Sequence, residues 1–491
     1  MCAAGASRVG TDKIKIVATL GPASRSAATL ERLLRAGVDV VRLNLSHGSI
    51  EEHQAALAAF HKLRWDLGIH AAAMADLGGP KVRTGVMLEG KSDLADGATC
   101  RIESLPVEGT AARFSTTHPG LVDDVSVGDR VLIDDGRIRL RVTHKTDRAV
   151  ECVCESGGAI GTHKGLNLPD SNVSLSAITD KDGRDLRWAL EAGVEYVALS
   201  FVRRAADVEA LRTAMDEAGR RVPVVVKIET PQAIRSLDEI IATSDAALVA
   251  RGDLGVEMDV WRIPMIQKDI VRRCRRMGKP VIIATQMLHS MVASPTPTRA
   301  EVSDVANAVL DGADAVMLSA ESAVGRFPVP SVEMLNRIAR DALQFRWASA
   351  CDAAGPDGLL DQRLYVGHGV DPTRSAVARS AVLIAQDLGA QLIVVWCHSG
   401  TTARWVGKYR PLQPVVGLSA DETTCHRLAL CYGVEPMRVS PAESAGEGAS
   451  WREVQRRLAL RYDLAAGQMM VVVGDPLHPE RASNLSIHRI E

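Results

Sequence analysis

Eight apolar runs recur along the chain up to residue 318, and each leads into polar residues. They are Lys13–Leu20, Val38–Leu45, Ile69–Ala75, Val194–Phe201, Val222–Glu229, Asp245–Ala250, Lys279–Ala284 and Ala313–Leu318. Their length and their content of Val, Ile, Leu and Ala predict buried strands. Most are separated by stretches with apolar residues at helical spacing, such as Ala27–Ala36, Asp182–Ala192, Ala205–Ala218 and Val260–Met277. The polar endings include Arg42, Asn44, Ser46 and His47, then Asp76, then Ser200 and Arg203. They continue with Lys227 and Glu229, Arg251–Gly252–Asp253, Thr285–Gln286, and Ser319, Glu321 and Ser322. Apolar strands alternating with helices, polar at their C-terminal ends, predict a (β/α)8 TIM barrel with its active site at the mouth.

The alternation breaks twice. From about Val86 to Pro169 helical spacing disappears and short β-like runs replace it: Ala98–Glu103, Arg130–Asp134, Arg137–Val142 and Ala149–Glu155. Turn signals such as Asp134–Asp135–Gly136 separate them. This predicts a small β domain, a β-barrel, inserted after the third barrel strand. The second break follows Ser331, with a helical stretch to about Ala350 and a Gly- and Asp-containing linker over 352–369. Beyond it, βα alternation resumes through Met469–Val473, which predicts a C-terminal α/β domain with a mainly parallel sheet. The expected layout is residues 1–85 and 170–335 for the barrel, 86–169 for the insert and 336–491 for the last domain.

Composition fits a large globular enzyme. The chain has 491 residues, 46% hydrophobic and 24% charged, with 58 basic against 60 acidic side chains and a net charge of −2. No basic excess points to nucleic acid or to an acidic membrane surface, and no apolar run is long enough for a membrane helix. Met1–Asp12 lacks an apolar signal core, and nine scattered cysteines suggest reduced thiols, so the expected location is cytoplasmic. Cys152 and Cys154 are read as surface or structural thiols rather than a metal site.

Lys227 and Glu229 are the most informative pair. They close the run Val222–Pro–Val–Val–Val–Lys–Ile–Glu229, and residues two apart on a strand share a face. A lysine and a carboxylate at the end of a buried strand are costly unless they pair, bind metal or do chemistry.

Several longer motifs carry a resemblance. They are Lys15–Ile–Val–Ala–Thr–Leu–Gly–Pro–Ala–Ser24, Arg42–Leu–Asn–Leu–Ser–His–Gly48, Gly79–Pro–Lys–Val–Arg–Thr–Gly85 and Lys227–Ile–Glu229. Further on stand Val249–Ala–Arg–Gly–Asp–Leu–Gly–Val–Glu257, Ala284–Thr–Gln–Met287, Pro297–Thr–Arg–Ala–Glu–Val–Ser–Asp–Val–Ala–Asn307 and Lys408–Tyr–Arg–Pro411. In this order, over nearly the whole chain, they resemble the pyruvate kinase family.

The resemblance implies transfer of a phosphoryl group from phosphoenolpyruvate to ADP, giving pyruvate and ATP in glycolysis. Arg42 and Lys227 would hold the phosphoryl oxygens. Glu229 and Asp253 would bind Mg²⁺ or Mn²⁺ through hard oxygens. Backbone N–H groups of Ala250, Arg251, Gly252 and Asp253 would meet the substrate carboxylate, and Thr285 would relay a proton through water. Asn44, His47, Arg83, Asp135 and Lys164 match nucleotide-side and lid positions. Asn44, Ser46, Asp76 and the carbonyl of Leu77 match a monovalent cation site. Ser399, Gly400, Thr401 and Thr402 match a phosphate-binding turn for a phosphorylated allosteric effector. A homotetramer is implied by resemblance alone.

Duller roles fit some of these residues: Thr285 could cap a following helix, and Asp76 could pair with Lys81 or Arg83. Two departures matter. Asp76–Leu–Gly–Gly–Pro–Lys81 places a lysine where many members have glutamate, so K⁺ is expected not to be required. The distal effector loop, Gly474–Asn484, is poor in glycine and carries Glu480, which disfavours a bisphosphate. A rival reading makes Lys227 a Schiff-base nucleophile of a carbon–carbon lyase.

Overall fold

The computed structural model describes residues 13–354, 371–440, 443, 448–474 and 484–490. Eight parallel strands close a barrel in sequence order: Lys15–Thr19, Val40–Asn44, Ala72–Asp76, Tyr196–Leu199, Val224–Ile228, Ala246–Ala250, Val281–Ala284 and Ala315–Leu318. Seven of the eight fall inside the apolar runs predicted from the sequence, and the third, Ala72–Asp76, runs one residue past its run, Ile69–Ala75.

Two apolar layers explain why the runs are continuous rather than alternating. Val17, Val40, Met74, Ala198, Val225, Leu248, Ile282 and Met317 fill the barrel interior. Their strand neighbours, such as Ile16, Val41, Ala73, Val197, Val226 and Val249, pack outward against the helices. The helices start at strong signals. Ser49 with Glu52, Thr179 with Asp182, and Thr298 with Glu301 form capping boxes, and Gly312 ends its helix in the left-handed conformation.

The insert follows the third strand. It contains a six-stranded sheet faced by a two-stranded ribbon, Lys91–Leu94 with Gly158–Gly161. Arg113–Ser115 and Leu166–Asn167 are strands too short for the periodicity to reveal. Cys152 and Cys154 are buried in this domain's core, which assigns them to packing and not to the surface.

The last domain has the expected parallel sheet, in the order Val434–Arg438, Val415–Ser419, Leu392–Trp396, Met469–Val473, plus an antiparallel edge strand Leu485–Arg489. It also closes the bottom of the barrel. Ala429 and Leu430 join the barrel's interior cluster, and Tyr196 donates its hydroxyl hydrogen to Arg427 O at 2.6 Å.

Candidate active site

The inward rows of the barrel end in polar side chains. Val17 is followed two residues on by Thr19, Val40 by Arg42, Met74 by Asp76, Ala198 by Ser200, and Val225 by Lys227 and then Glu229. The two-residue period therefore delivers six polar groups from five strands to one place.

Their contacts form one network. Arg42 donates from Nε to Asp76 Oδ2 at 2.7 Å and from Nη1 to Thr19 Oγ1 at 2.9 Å. Lys227 Nζ lies 2.7 Å from Glu229 Oε1 and 3.6 Å from Asp76 Oδ1, and it donates to Ser200 Oγ at 2.8 Å. Glu229 Oε2 accepts the Phe201 N–H at 2.8 Å. Asp76 and Glu229 are buried, and Arg42 is 8% exposed. The side-by-side placement of Lys227 and Glu229 expected from their spacing is thus present, and the dull partners considered for Asp76 are not the ones it takes.

The charges fix each other. Burial works to discharge Asp76, but Lys227 and Arg42 outweigh it and hold its carboxyl below the usual range. Burial likewise opposes the charge on Lys227, yet Asp76 and Glu229 raise its ammonium above the ordinary lysine value. A lysine kept this firmly protonated is poorly suited to Schiff-base chemistry. Glu229 is pushed up by burial, opposed by Lys227 and reinforced by the negative charge of Asp253. Two carboxylates that repel each other beside a cleft are the donor set a hard divalent cation satisfies.

Asp253 stands in the first turn of the helix Arg251–Glu257, directly after the sixth strand. Gly252 N–H donates to Thr285 Oγ1 at 2.7 Å, and an added Cβ on Gly252 would sit 3.4 Å from that oxygen. Thr285 does not cap the helix after its own strand; its hydroxyl instead takes a first-turn N–H of the helix Arg251–Glu257. It and Gln286 have φ of +70° and +55°, left-handed values that a β-branched residue adopts only when the surroundings force them. The Arg251 side chain turns away from the mouth, to Thr285 O at 2.7 Å and Asp304 Oδ1 at 2.7 Å. Asp304 lines the same cleft as Gly252 and Asp253, so the guanidinium is held along the cleft wall.

The remaining predicted residues rim this centre. Asn44 Oδ1 accepts the Ser46 N–H at 3.3 Å, and the Leu77 carbonyl accepts the Ser200 hydroxyl hydrogen at 2.8 Å. His47 is exposed, and its carbonyl is bonded by His53. Arg83 donates to His163 O at 3.0 Å, tying the start of the insert to its end. Lys164 pairs with Asp134 at 2.9 Å, while Asp135 lines a cleft of about 940 Å³ with Gly252 and Asp253. The tip of the inserted domain therefore reaches over the mouth. Lys81 is exposed, with its ammonium beside Gly165.

In the last domain, Gly400 has φ +77° and caps the helix Thr401–Lys408 without a side-chain bond. Ser399 and Thr401 share a hydroxyl contact at 2.9 Å, and Thr402 is buried. Of the distal loop, residues 475–483, Glu480 among them, lie outside the described residues.

The family model for the pyruvate kinase barrel domain matches residues 11–332, and that for the pyruvate kinase alpha/beta domain matches residues 375–488. The chain belongs to the pyruvate kinase family. It is 42% identical over 465 residues to the pyruvate kinase of Corynebacterium glutamicum, covering 94% of each chain. It is 40% identical over 478 residues to that of Mycobacterium intracellulare, covering 97% of this chain and 98% of the relative. The crystal structure of a pyruvate kinase from Cryptosporidium parvum superposes with a TM-score of 0.90 at 32% identity, covering 98% of this chain and 97% of that one. Membership removes the lyase reading.

Sequence reasoning passed over Thr19, and it noted Ser200 at its strand end without giving it a role. Thr19 sits two residues after the inward-facing Val17, so the two-residue period could have found it.

Proposed function

We propose that this pyruvate kinase transfers the phosphoryl group of phosphoenolpyruvate to ADP as a step of glycolysis, with Lys227 and Arg42 as the groups that hold it. The observation that carries this reading is the firmly charged Lys227 set between Asp76 and Glu229 at the barrel mouth. Phosphoryl transfer needs positioning and neutralisation of negative charge more than covalent help from the protein. Arg42 offers a planar fork to two phosphoryl oxygens, and Lys227 supplies a point charge to a third.

Glu229 and Asp253 would hold Mg²⁺ or Mn²⁺. When bound, the cation would neutralise charge on the transferring group. The backbone at Ala250–Asp253 would receive the substrate carboxylate. Thr285, accepting the Gly252 N–H, keeps its own hydroxyl hydrogen available for a proton relay completed by water. Asn44, His47 and Arg83 would contact the nucleotide, while Asp135 and Lys164 on the lid would close over it and exclude water.

K⁺ is proposed to be unnecessary. Asp76, the buried carboxylate of the monovalent site, already has Arg42 and Lys227 as cationic partners, and Lys81 adds a positive charge on the adjacent turn. The site Asn44, Ser46, Asp76 and Leu77 would then bind a monovalent ion weakly. A phosphorylated effector is proposed at Ser399–Thr402, with assembly as a homotetramer in the cytoplasm. Among the described residues, no helix is long and apolar enough to cross a membrane.

The test is a coupled assay of pyruvate formation from phosphoenolpyruvate, ADP and Mg²⁺, run with K⁺ and with a bulky organic cation. Comparable rates in the two are expected. Activity only with K⁺ would discard the Lys81 argument and keep the kinase. No activity in either would overturn the kinase assignment.

A further inference from the structure

Glu257 ends the helix that begins at the active site, and it is buried. A carboxylate is poorly placed there, because the C-terminal end of a helix already carries partial negative charge. Burial pushes its carboxyl up to about 7, Asn167 draws it back, and the charges of Glu229 and Asp253 push it further. A side chain retained against such costs calls for a reason beyond packing.

Its partner supplies one. Asn167 Nδ2 donates to Glu257 Oε1 at 2.8 Å. Asn167 belongs to the lid, on the two-residue strand Leu166–Asn167, where it pairs with Leu132 of the strand Arg130–Ile133. That strand runs straight into Asp134, Asp135 and Gly136, the tip that overhangs the cleft. All three have positive φ, of 52°, 56° and 78°. Two successive non-glycine residues in this conformation store strain that the surroundings must hold. The tip comes close to the same barrel helix one residue away from the hydrogen bond: an added Cβ on Gly136 would lie 3.7 Å from Val256. A cavity of about 60 Å³ lies beneath, lined by Lys81, Asn167, Arg203 and Glu257 among others, at the root of the lid. Among the described residues, no other side-chain hydrogen bond joins a strand of the lid to a helix of the barrel.

We infer that Asn167 and Glu257 form a latch that seats the lid on the helix Arg251–Glu257, making both of them positioning residues for phosphoryl transfer. One seven-residue helix then carries Asp253 at its start and the lid's anchorage at its end, so that lid position and cation site are set by one rigid element. The kinetic consequence rests on the phosphoryl-transfer reading; the latch itself does not.

The test uses full-length Asn167→Ala, Glu257→Ala and Glu257→Gln. Amide hydrogen exchange is followed over 130–137 without substrate, and kcat and KM are measured with Mg²⁺. Both alanine variants are expected to speed exchange of the lid tip about tenfold, the scale of one lost hydrogen bond to a charged group. They should also lower kcat/KM by about tenfold or more, with the unfolding midpoint of the barrel unchanged. Glu257→Gln keeps an acceptor oxygen and is expected to stay close to the parent in both readouts. Unchanged lid exchange in Asn167→Ala would overturn the latch. So would a lowered unfolding midpoint, shared by all three variants, without a specific change over 130–137. An inactive parent protein would fail the function reading alone, since the exchange experiment needs no turnover.

Discussion

Arg42 and Lys227 share one carboxylate, and that arrangement sets what either can do. Asp76 pairs with both, so under the proposed reaction an incoming phosphoryl group would meet two cations that are already aligned and already desolvated. Replacing Asp76 by Asn leaves the buried Arg42 without its carboxylate and Lys227 with Glu229 alone. The expected loss is about 3–5 kcal/mol of unfolding free energy, measured from denaturant midpoints at neutral pH. The sign of the pH dependence follows from the depressed carboxyl of Asp76. Its contribution is fully present above the unfolded carboxylate value near 4 and is lost as pH falls through the lower folded value. Asp76→Asn should therefore lack the part of acid destabilisation below about pH 4 that the parent shows. The opposite dependence, a variant more acid-sensitive than the parent, would contradict the shared-carboxylate account.

At the scale of elements, the strand ends were legible because burial on both faces makes a run of apolar residues, and a polar residue interrupting it stands out. Arg42, Asp76, Lys227 and Glu229 were found this way. What the pattern could not give was partnership across strands. Nothing near position 257 says that Glu257 meets Asn167, ninety residues away. Nor does any local signal say that Thr285 is left-handed rather than capping the helix after its own strand. The short strands Arg113–Ser115 and Leu166–Asn167 lack the length for a period to register. The underside of the barrel adds a prediction of its own. His70 precedes the third strand, and burial lowers its imidazole to about 4, aided by His426 and Arg461 and Arg438 and opposed by Glu422. It stays neutral when folded, so the unfolded chain binds the extra proton and stability falls as pH drops from about 6.5 towards 4. His70→Gln is expected to flatten that fall by about 2 kcal/mol between pH 7 and pH 5, read from urea midpoints at the two values. An unchanged slope would remove His70 from the account.

For the whole molecule, the C-terminal domain is fastened to the barrel by buried charge. Arg410 reaches Asp314 Oδ1 at 2.9 Å, and its guanidinium lies 3.8 Å from the Tyr432 ring centroid. Lys408 stacks over Trp405 and donates to Arg276 O at 3.1 Å. The motif Lys408–Tyr–Arg–Pro411, noticed in the sequence as a family signature, is thus a seam between domains. Arg410→Ala leaves Asp314 with a buried unpaired charge. It is expected to cost about 3–5 kcal/mol and to split one calorimetric transition into two. A single transition at the parent temperature would contradict the seam. The barrel and the lid bear on one centre, and Lys227 is the group on which the account depends most. The most direct measurement is therefore pyruvate formation from phosphoenolpyruvate and ADP by the parent and by Lys227→Met, under saturating Mg²⁺. A loss of about a thousandfold or more in kcat, with the fold retained, is the expected result. A folded Lys227→Met protein that turns over at the parent rate would contradict the account at its centre.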